Sequence, residues 1–484
     1  MNSVLYWNAV LLELSRRDFT RGFANSQNPG PIATSRAMAM VHLTIRDALA
    51  LPVVPAKAYL PIPGITFPDF PAAGPARDAY LDDLVAGAAS ETMRALYPGS
   101  LDFIDESVGL ANATVPINPA AFMVGQQIGQ AMVMSRMKDG AFKDAAGNPV
   151  AITSPQVPNP GYGDHRADPY DAGQPRLGVH WGAVTHFAAA THAPLDPYPG
   201  AAKRPIKAFL TDAHYAADYI EVRDIGQAES SARSPEEELI GVYWGYDGAN
   251  KLGVPPRLYN QIVHAFIRQR FPGLGREQCA DLFAVVNCAM ADAGIDAWHY
   301  KYIHNLWRPV VGIRNEVVPA QTDAFWAPLG APQTNSAPGT RTPPFPAYPS
   351  GHATFGAAMF QALRLYFKTA AGPIKMDDVL KFDGPGAAPA VATEELDFIS
   401  DELNGHSLDP DGSVRTLASR HFRSFAQAVW ENAVSRVYLG VHWRFDGLPA
   451  RNKPNQKIGG ASVGLTNGEN AWKMFKDILL ADQP

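Results

Sequence analysis

Eleven residues in three short blocks constrain this chain more than anything else in it. They are Lys301 with Arg308-Pro309, then Pro349-Ser350-Gly351-His352, then Ser435-Arg436 with His442 and Asp446. The third block lies 83 positions beyond His352, counted to Ser435. If the blocks act together, the fold must bring distant chain segments to one point. The blocks supply three cations (Lys301, Arg308 and Arg436), a serine hydroxyl and glycine N–H at a helix start, and two histidines. Such a set suits a tetrahedral trianion.

The rest of the composition fits a globular enzyme. The 484 residues are enough for a large core, with 46% hydrophobic and 18% charged residues. A net charge of −6 gives no nucleic-acid footprint. Against that acidic background, three cationic motif residues read as a site. The two cysteines, Cys279 and Cys288, sit nine residues apart. On one helix that separates them by about 13 Å along the axis, too far for a disulfide. No apolar run has membrane length, and the N-terminus lacks a basic leader pattern. The expectation is a soluble chain with no membrane partner, cytoplasmic or exported.

Apolar spacing of three and four dominates the chain. It predicts helices over 35–50, 78–96, 120–137, 237–246, 256–270, 279–293, 298–310, 350–367 and 417–439. The 42 prolines and 41 glycines require stiff loops between them. The stretch from Pro328 to Pro349 cannot be helical and should wrap the mouth of the site. The segment 144–199 reads as loop. The expected class is all-α, two four-helix bundles in one compact unit with long Pro/Gly-rich loops. The expected division is 1–235, an N-terminal helical part with a loop-rich region, and 236–484, the catalytic bundle.

Each block has a physical reading and a plain alternative. Lys301 and Arg308, seven apart, return to one face of a helix about 10 Å along, and Pro309 ends or kinks it there. The alternative is a solvated basic face. Ser350 is placed as an N-cap, so free N–H groups and the positive dipole end face an anion, and Gly351 lets the backbone come close. The alternative is a plain cap with a surface histidine. Gly440 should break the helix after Arg436, letting His442 turn to the same point, with Asp446 holding its far ring nitrogen. The alternative is a buried His–Asp pair in a loop.

Taken together, these motifs resemble the signature of the vanadium-dependent haloperoxidases and the related type 2 acid phosphatases. All eleven signature residues are present. The likeness extends to Leu239-Ile240-Gly241, Tyr243 to Gly248, Pro255-Pro256-Arg257, Tyr259 to Ile262, Leu5 to Asn8 and 35–47, which are similar to the fungal chloroperoxidase type. The resemblance implies a vanadate cofactor with His442 as its metal ligand. Lys301, Arg308, Ser350, Gly351 and Arg436 would bind its oxygens. His352 is implied as the acid–base group, with Lys301 and His442 also catalytic. Asp446 would orient His442, and Asp247 would pair with Arg436. Trp298 and Phe345 match the chloroperoxidase type and imply an apolar halide pocket; the alternative is that they only pack the core. The implied partners are hydrogen peroxide, a halide and small organic substrates.

The expected activity is therefore peroxide-dependent oxidation of chloride or bromide to a hypohalous acid, which halogenates organic molecules. The alternative is a phosphomonoesterase. Phosphate has the shape of vanadate and is a possible surrogate in the cage. His442 would then form a phosphohistidine and His352 would protonate the leaving group. Three further histidines, His180, His186 and His192, have a six-residue spacing that suits no standard metal motif, so they are read as core or surface residues. The run Asp409-Pro410-Asp411-Gly412 lacks the glutamate of a calcium loop and is set aside.

Overall fold

The computed structural model describes residues 2–20, 26–111, 117–196, 210, 213–248, 250–315, 322–330, 342–369, 371–384, 390–408, 413–451 and 453–479. Helices dominate them, as the apolar spacing predicts. They are α1 (Ser3–Asp18), α2 (Gly30–Ala50), α3 (Pro75–Leu96), α4 (Leu101–Ala111), α5 (Pro119–Ser135), α6 (Ala213–Ile225), α7 (Pro235–Tyr243), α8 (Pro255–Arg270), α9 (Arg276–His304), α10 (Pro309–Asn315), α11 (Gly351–Tyr366), α12 (Met376–Leu380), α13 (Phe425–Tyr438), α14 (Arg444–Gly447) and α15 (Gly459–Leu479). Two antiparallel pairs complete the set: β1 (Thr153–Ser154) with β2 (Arg176–Leu177), and β3 (Leu396–Asn404) with β4 (Leu417–Phe422).

The 29-residue helix α9 is the axis of the molecule. From Cys279 to Trp298 every side chain but that of Asp281 is buried, so the helix is enclosed on all sides. Helices α2, α11 and α15 pack around it, α3 and α5 pack on each other and on α2, and α13 packs on α11. The spacing predicts two helices here, 279–293 and 298–310, because Gly294 and Asp296 interrupt the apolar pattern. The structure joins them. A Cβ at Gly294 would lie 2.9 Å from Phe355, so the glycine is where α11 comes close. Asp296 is fully hydrogen-bonded rather than a breaker. Both cysteines are buried free thiols on this helix, pushed up by burial.

Helix α15 was not expected from the sequence. Its Gly460, Gly464 and Gly468 face α11 at four-residue spacing. A Cβ at the first two would meet Ser350 O and Thr354 O at 2.2 Å. Glycine there lets the two backbones touch, which seats the start of α11 firmly.

A second correction concerns 417–439. Its first six residues are strand β4, and the helix begins only at Phe425, capped by Ser424 on Gln427 N. The side chains of β4 largely alternate in exposure, and it pairs with β3 from Leu396↔Phe422 to Ile399↔Ser419. The hairpin packs on α7 and α8. Asp409 to Gly412 lies outside the described residues, as does 331–341 of the proline-rich stretch.

Candidate active site

Three helix termini meet: the end of α9, the start of α11 and the end of α13. Lys301 lies in the last turn of α9, buried, with Nζ donating to Pro346 O (2.7 Å) and Ala347 O (3.0 Å). The helix stops at Asn305, which adopts the left-handed conformation (φ 47°) and caps it through its N–H to Lys301 O. Arg308 therefore lies beyond the helix. The expected single face carrying Lys301 and Arg308 is not what unites them; the reversal at Asn305 does. Arg308 Nε donates to Phe345 O (3.0 Å), and Nη1 to Val441 O (2.8 Å) and His442 Nε2 (3.2 Å).

Ser350 caps α11 as expected. Its Oγ accepts from Ala353 N, and its own N–H donates to Asp446 O (2.7 Å). A side chain at Gly351 would come within 3.2 Å of the Trp298 ring, so this first turn stays bare on that side. One residue on, His352 Nε2 donates to Trp244 O and Gly245 O, both at 2.8 Å. That assigns the proton to Nε2 and leaves Nδ1 with a lone pair, 3.5 Å from Asp247 Oδ1. Asp247 also pairs with Arg436 Nη2.

Gly440 (φ 70°) turns the chain after α13, again as expected. A Cβ there would lie 2.2 Å from Gly226 O, so only glycine makes the turn. His442 follows, donating Nδ1–H to Asp446 Oδ2 (2.8 Å); the same oxygen accepts Trp443 N–H (3.0 Å). The carboxylate thereby fixes the tautomer and presents Nε2, unprotonated, to the cage.

The charge balance shows what the cage wants. Lys301, Arg308 and Arg436 are all within 1% of complete burial. Their charges face Asp247 and Asp446, and Arg308 also feels Asp168. Burial, with Arg308 close by, pushes the Lys301 ammonium well below its usual range, and burial takes Arg308 down to about 9. Burial first, then Arg436, brings His352 down to about 3, and burial with Arg308 depresses His442. Burial raises the Asp446 carboxyl, opposed by Lys301 and the Trp443 N–H. Arg308 Nη2 and Arg436 Nε and Nη1 are buried without a hydrogen-bond partner. Lys301 Nζ has three N–H groups and two protein acceptors. Orphaned donors on buried cations are costly. Such donors suit the oxygens of an anion.

A cavity of about 200 Å³ opens onto this point. Asp247, His352, Arg436 and His442 form its polar end, and Leu177, Val254, Trp298, Pro343, Pro344 and Phe345 its apolar wall. The described part of the proline-rich stretch thus borders the site, as expected. Trp298 and Phe345 pack with ring centres 4.6 Å apart. The Phe345 ring lies 5.0 Å from both Lys301 Nζ and the Arg308 guanidinium. The indole N–H of Trp298 is taken by Leu177 O (3.0 Å), so this ring offers the cavity an apolar surface and no donor.

Several supporting groups carried no sequence signal of their role. Tyr259 Oη and Asn432 Nδ2 both donate to His352 O (3.0 and 2.8 Å). The β3–β4 hairpin holds the segment that anchors His352. Ser400 Oγ donates to Tyr243 O, Tyr243 Oη to Phe398 O, and Tyr246 N to Glu402 Oε1, itself held by Arg415. The hairpin, which lies in the 83-position interval before Ser435, is therefore a buttress behind the cage.

Comparison with known proteins bears directly on this arrangement. Residues 1–115 match the vanadium chloroperoxidase N-terminal domain, and residues 281–468 match the second helical-bundle domain of the same family. The chain is 33% identical to the vanadium chloroperoxidase of Curvularia inaequalis over 93% of its own length and 80% of that protein. The chain belongs to the vanadium chloroperoxidase family. Solved structures share the family's fold with it. A bacterial vanadium-dependent iodoperoxidase superposes with a TM-score of 0.64 at 19% identity, covering 99% of this chain and 97% of that one. A bacterial vanadium-dependent chloroperoxidase in its holo form gives 0.61 at 15% identity, covering 94% of each. No helix among the described residues is long and apolar enough to cross a membrane.

Proposed function

We propose that the chain is a vanadium-dependent haloperoxidase that uses hydrogen peroxide to oxidise chloride or bromide to hypohalous acid, for halogenation of small organic molecules. The observation that carries this is the set of orphaned N–H donors on Arg308 and Arg436 around an unprotonated His442 Nε2. Those groups fit a tetrahedral oxyanion able to accept one nitrogen ligand, which is what vanadate is.

His442 would ligate the metal. Lys301, Arg308, Ser350, Gly351 and Arg436 would hold the oxygens. Bound vanadate supplies a Lewis-acid centre that activates peroxide toward the halide at a fixed oxidation state. The chain supplies the rest. Fixed cations and N–H donors hold negative charge in place without reorganisation. Asp446 keeps His442 in the ligating tautomer. His352, neutral and anchored through Nε2, takes or returns a proton at Nδ1. Lys301 would offer its remaining N–H to an oxygen of the held anion. The apolar wall strips water from the halide, whose negative charge the neighbouring cations offset. Phosphate would occupy the same donors and compete with vanadate. Nothing in the site favours a phosphomonoesterase over this reading. The same reading divides the chain into 1–235 and 236–484, with the two family matches, 1–115 and 281–468, on either side of that division.

The deciding test adds orthovanadate to anion-free protein and follows bromination and chlorination of a phenol or diketone with peroxide. Vanadate-dependent turnover is expected. Absence of halogenation, with phosphatase turnover that vanadate inhibits, would overturn the proposal. Within the same assay, Phe345→His should lower chloride turnover by roughly tenfold or more while bromide falls less, since chloride is harder to dehydrate. Equal losses for the two halides would remove Phe345 from halide selection.

A further inference from the structure

A second convergence of ligand-type side chains lies on α9, two residues before Trp298. Asp296 is fully buried, and its two oxygens are used differently. Oδ2 is held by Ala193 N–H and Asn467 Nδ2, each at 2.8 Å. Oδ1 faces two imidazoles, His186 Nε2 at 2.8 Å and His192 Nδ1 at 2.6 Å. All three atoms lie within 4.8 Å of one another. The His192 ring is fixed by stacking on His299 at 3.8 Å, nearly parallel. The side chains of His186 and His192 are 11% and 28% exposed, so solvent reaches the cluster. Spacing along the chain does not reveal this set, because Asp296 lies 110 and 104 residues from His186 and His192.

A simple loop staple looks different, and one is adjacent. Asp292, one turn earlier, accepts the N–H groups of Phe187, Ala188 and Ala189 and no side chain. That alone pins the loop to α9. Asp296 adds a second buried carboxylate one turn away, with one oxygen oriented by its own hydrogen bonds and the other offered to two imidazole nitrogens. Carboxylate orientation by neighbouring groups is the usual support of a metal ligand.

We propose that His186 Nε2, His192 Nδ1 and Asp296 Oδ1 bind a divalent transition-metal ion of the zinc class, with water completing its coordination. Two imidazoles and one carboxylate suit such ions. Ligand bonds of about 2.0–2.2 Å put tetrahedral donors about 3.3 Å apart. The 2.6–2.8 Å separations from Oδ1 are hydrogen bonds, so loading lengthens those two by about half an ångström, while the two nitrogens, within 4.8 Å of each other, take up the rest of the adjustment. Each imidazole binds through its deprotonated ligating nitrogen: the proton that nitrogen shares with Asp296 is released to solvent, and the far ring nitrogen carries the ring's one remaining proton. The ion clamps the loop 185–193 to α9 just ahead of Trp298 and Lys301. It touches no reacting atom and is structural.

The test uses untagged, vanadate-loaded protein stripped of divalent metals and titrated with Co2+, then Zn2+. Expected are one Co2+ per chain at a Kd of about 10 µM or tighter, visible bands of a low-coordinate N/O site, displacement by Zn2+, and a rise in Tm. His186→Ala and His192→Ala should each weaken binding roughly a hundredfold. His192→Gln keeps a donor to Asp296, and so the folded loop, yet should not restore binding. The proposal is overturned if wild type shows no saturable Co2+ uptake up to about 1 mM, or if the variants titrate like wild type.

Discussion

Replacing His442 by alanine should leave a folded protein that no longer retains vanadate and no longer halogenates. His442 is the one group that presents an unprotonated nitrogen into the cage while its other nitrogen is held by Asp446. Loss of an outer partner of a metal ligand costs about 10–100-fold in affinity; loss of the ligand itself should exceed that. Bromination at micromolar vanadate should therefore fall by roughly a thousandfold or more. Asp446→Asn should fall between the two, because an amide holds the ring less firmly and leaves it less basic. Vanadate titration by calorimetry, with far-UV circular dichroism to establish folding, checks both. A His442→Ala protein with undiminished halogenation would falsify the assignment of the ligand.

His352→Ala should separate proton transfer from anion binding. Its imidazole is anchored to the Trp244 and Gly245 carbonyls, with Nδ1 3.5 Å from Asp247 Oδ1. Removing an acid–base group of this kind lowers turnover by about 10²–10⁴-fold. Vanadate affinity at neutral pH should change by less than about tenfold, since the cationic donors remain. A pH signature should accompany it. Burial and Arg436 hold the ring down to about 3 in the anion-free cage. A bound anion places negative charge beside it and raises that value. A group whose pKa rises on binding takes up a proton, so anion binding strengthens as pH falls, by up to about tenfold per unit. That component should be missing in His352→Gln. Phosphate binding in buffers of different ionisation enthalpy measures it, with wild type and variant sharing the ligand's own titration. Identical proton uptake in both would assign the proton elsewhere.

The cage was legible because its chemistry is local in sequence. A serine before a glycine at a helix start, a glycine ending a helix, and an aspartate four residues after a histidine each suggest a local geometry, and the structure realises all three. The helical class was legible for a similar reason, since burial on α-helices leaves a three-to-four period. Errors fell where local pattern and tertiary partner disagree. Gly294 and Asp296 look like breaks in α9 until Phe355 and the loop 185–193 are placed beside them. Residues 417–422 read as helix until Leu396 to Ile399 pairs with them.

By itself, then, the sequence determined which groups are candidates to hold an anion, their order, and the helical frame that carries them, because caps, breaks and apolar spacing are set by neighbours along the chain. Only the tertiary structure decided how Lys301 and Arg308 converge, through a reversal at Asn305 instead of a shared helix face. It alone showed that the hairpin 396–422 stands behind His352, that the Trp298 N–H is already occupied, and that His186 and His192 meet Asp296. These depend on partners more than a hundred residues away, and no pattern of adjacent residues encodes such a distance.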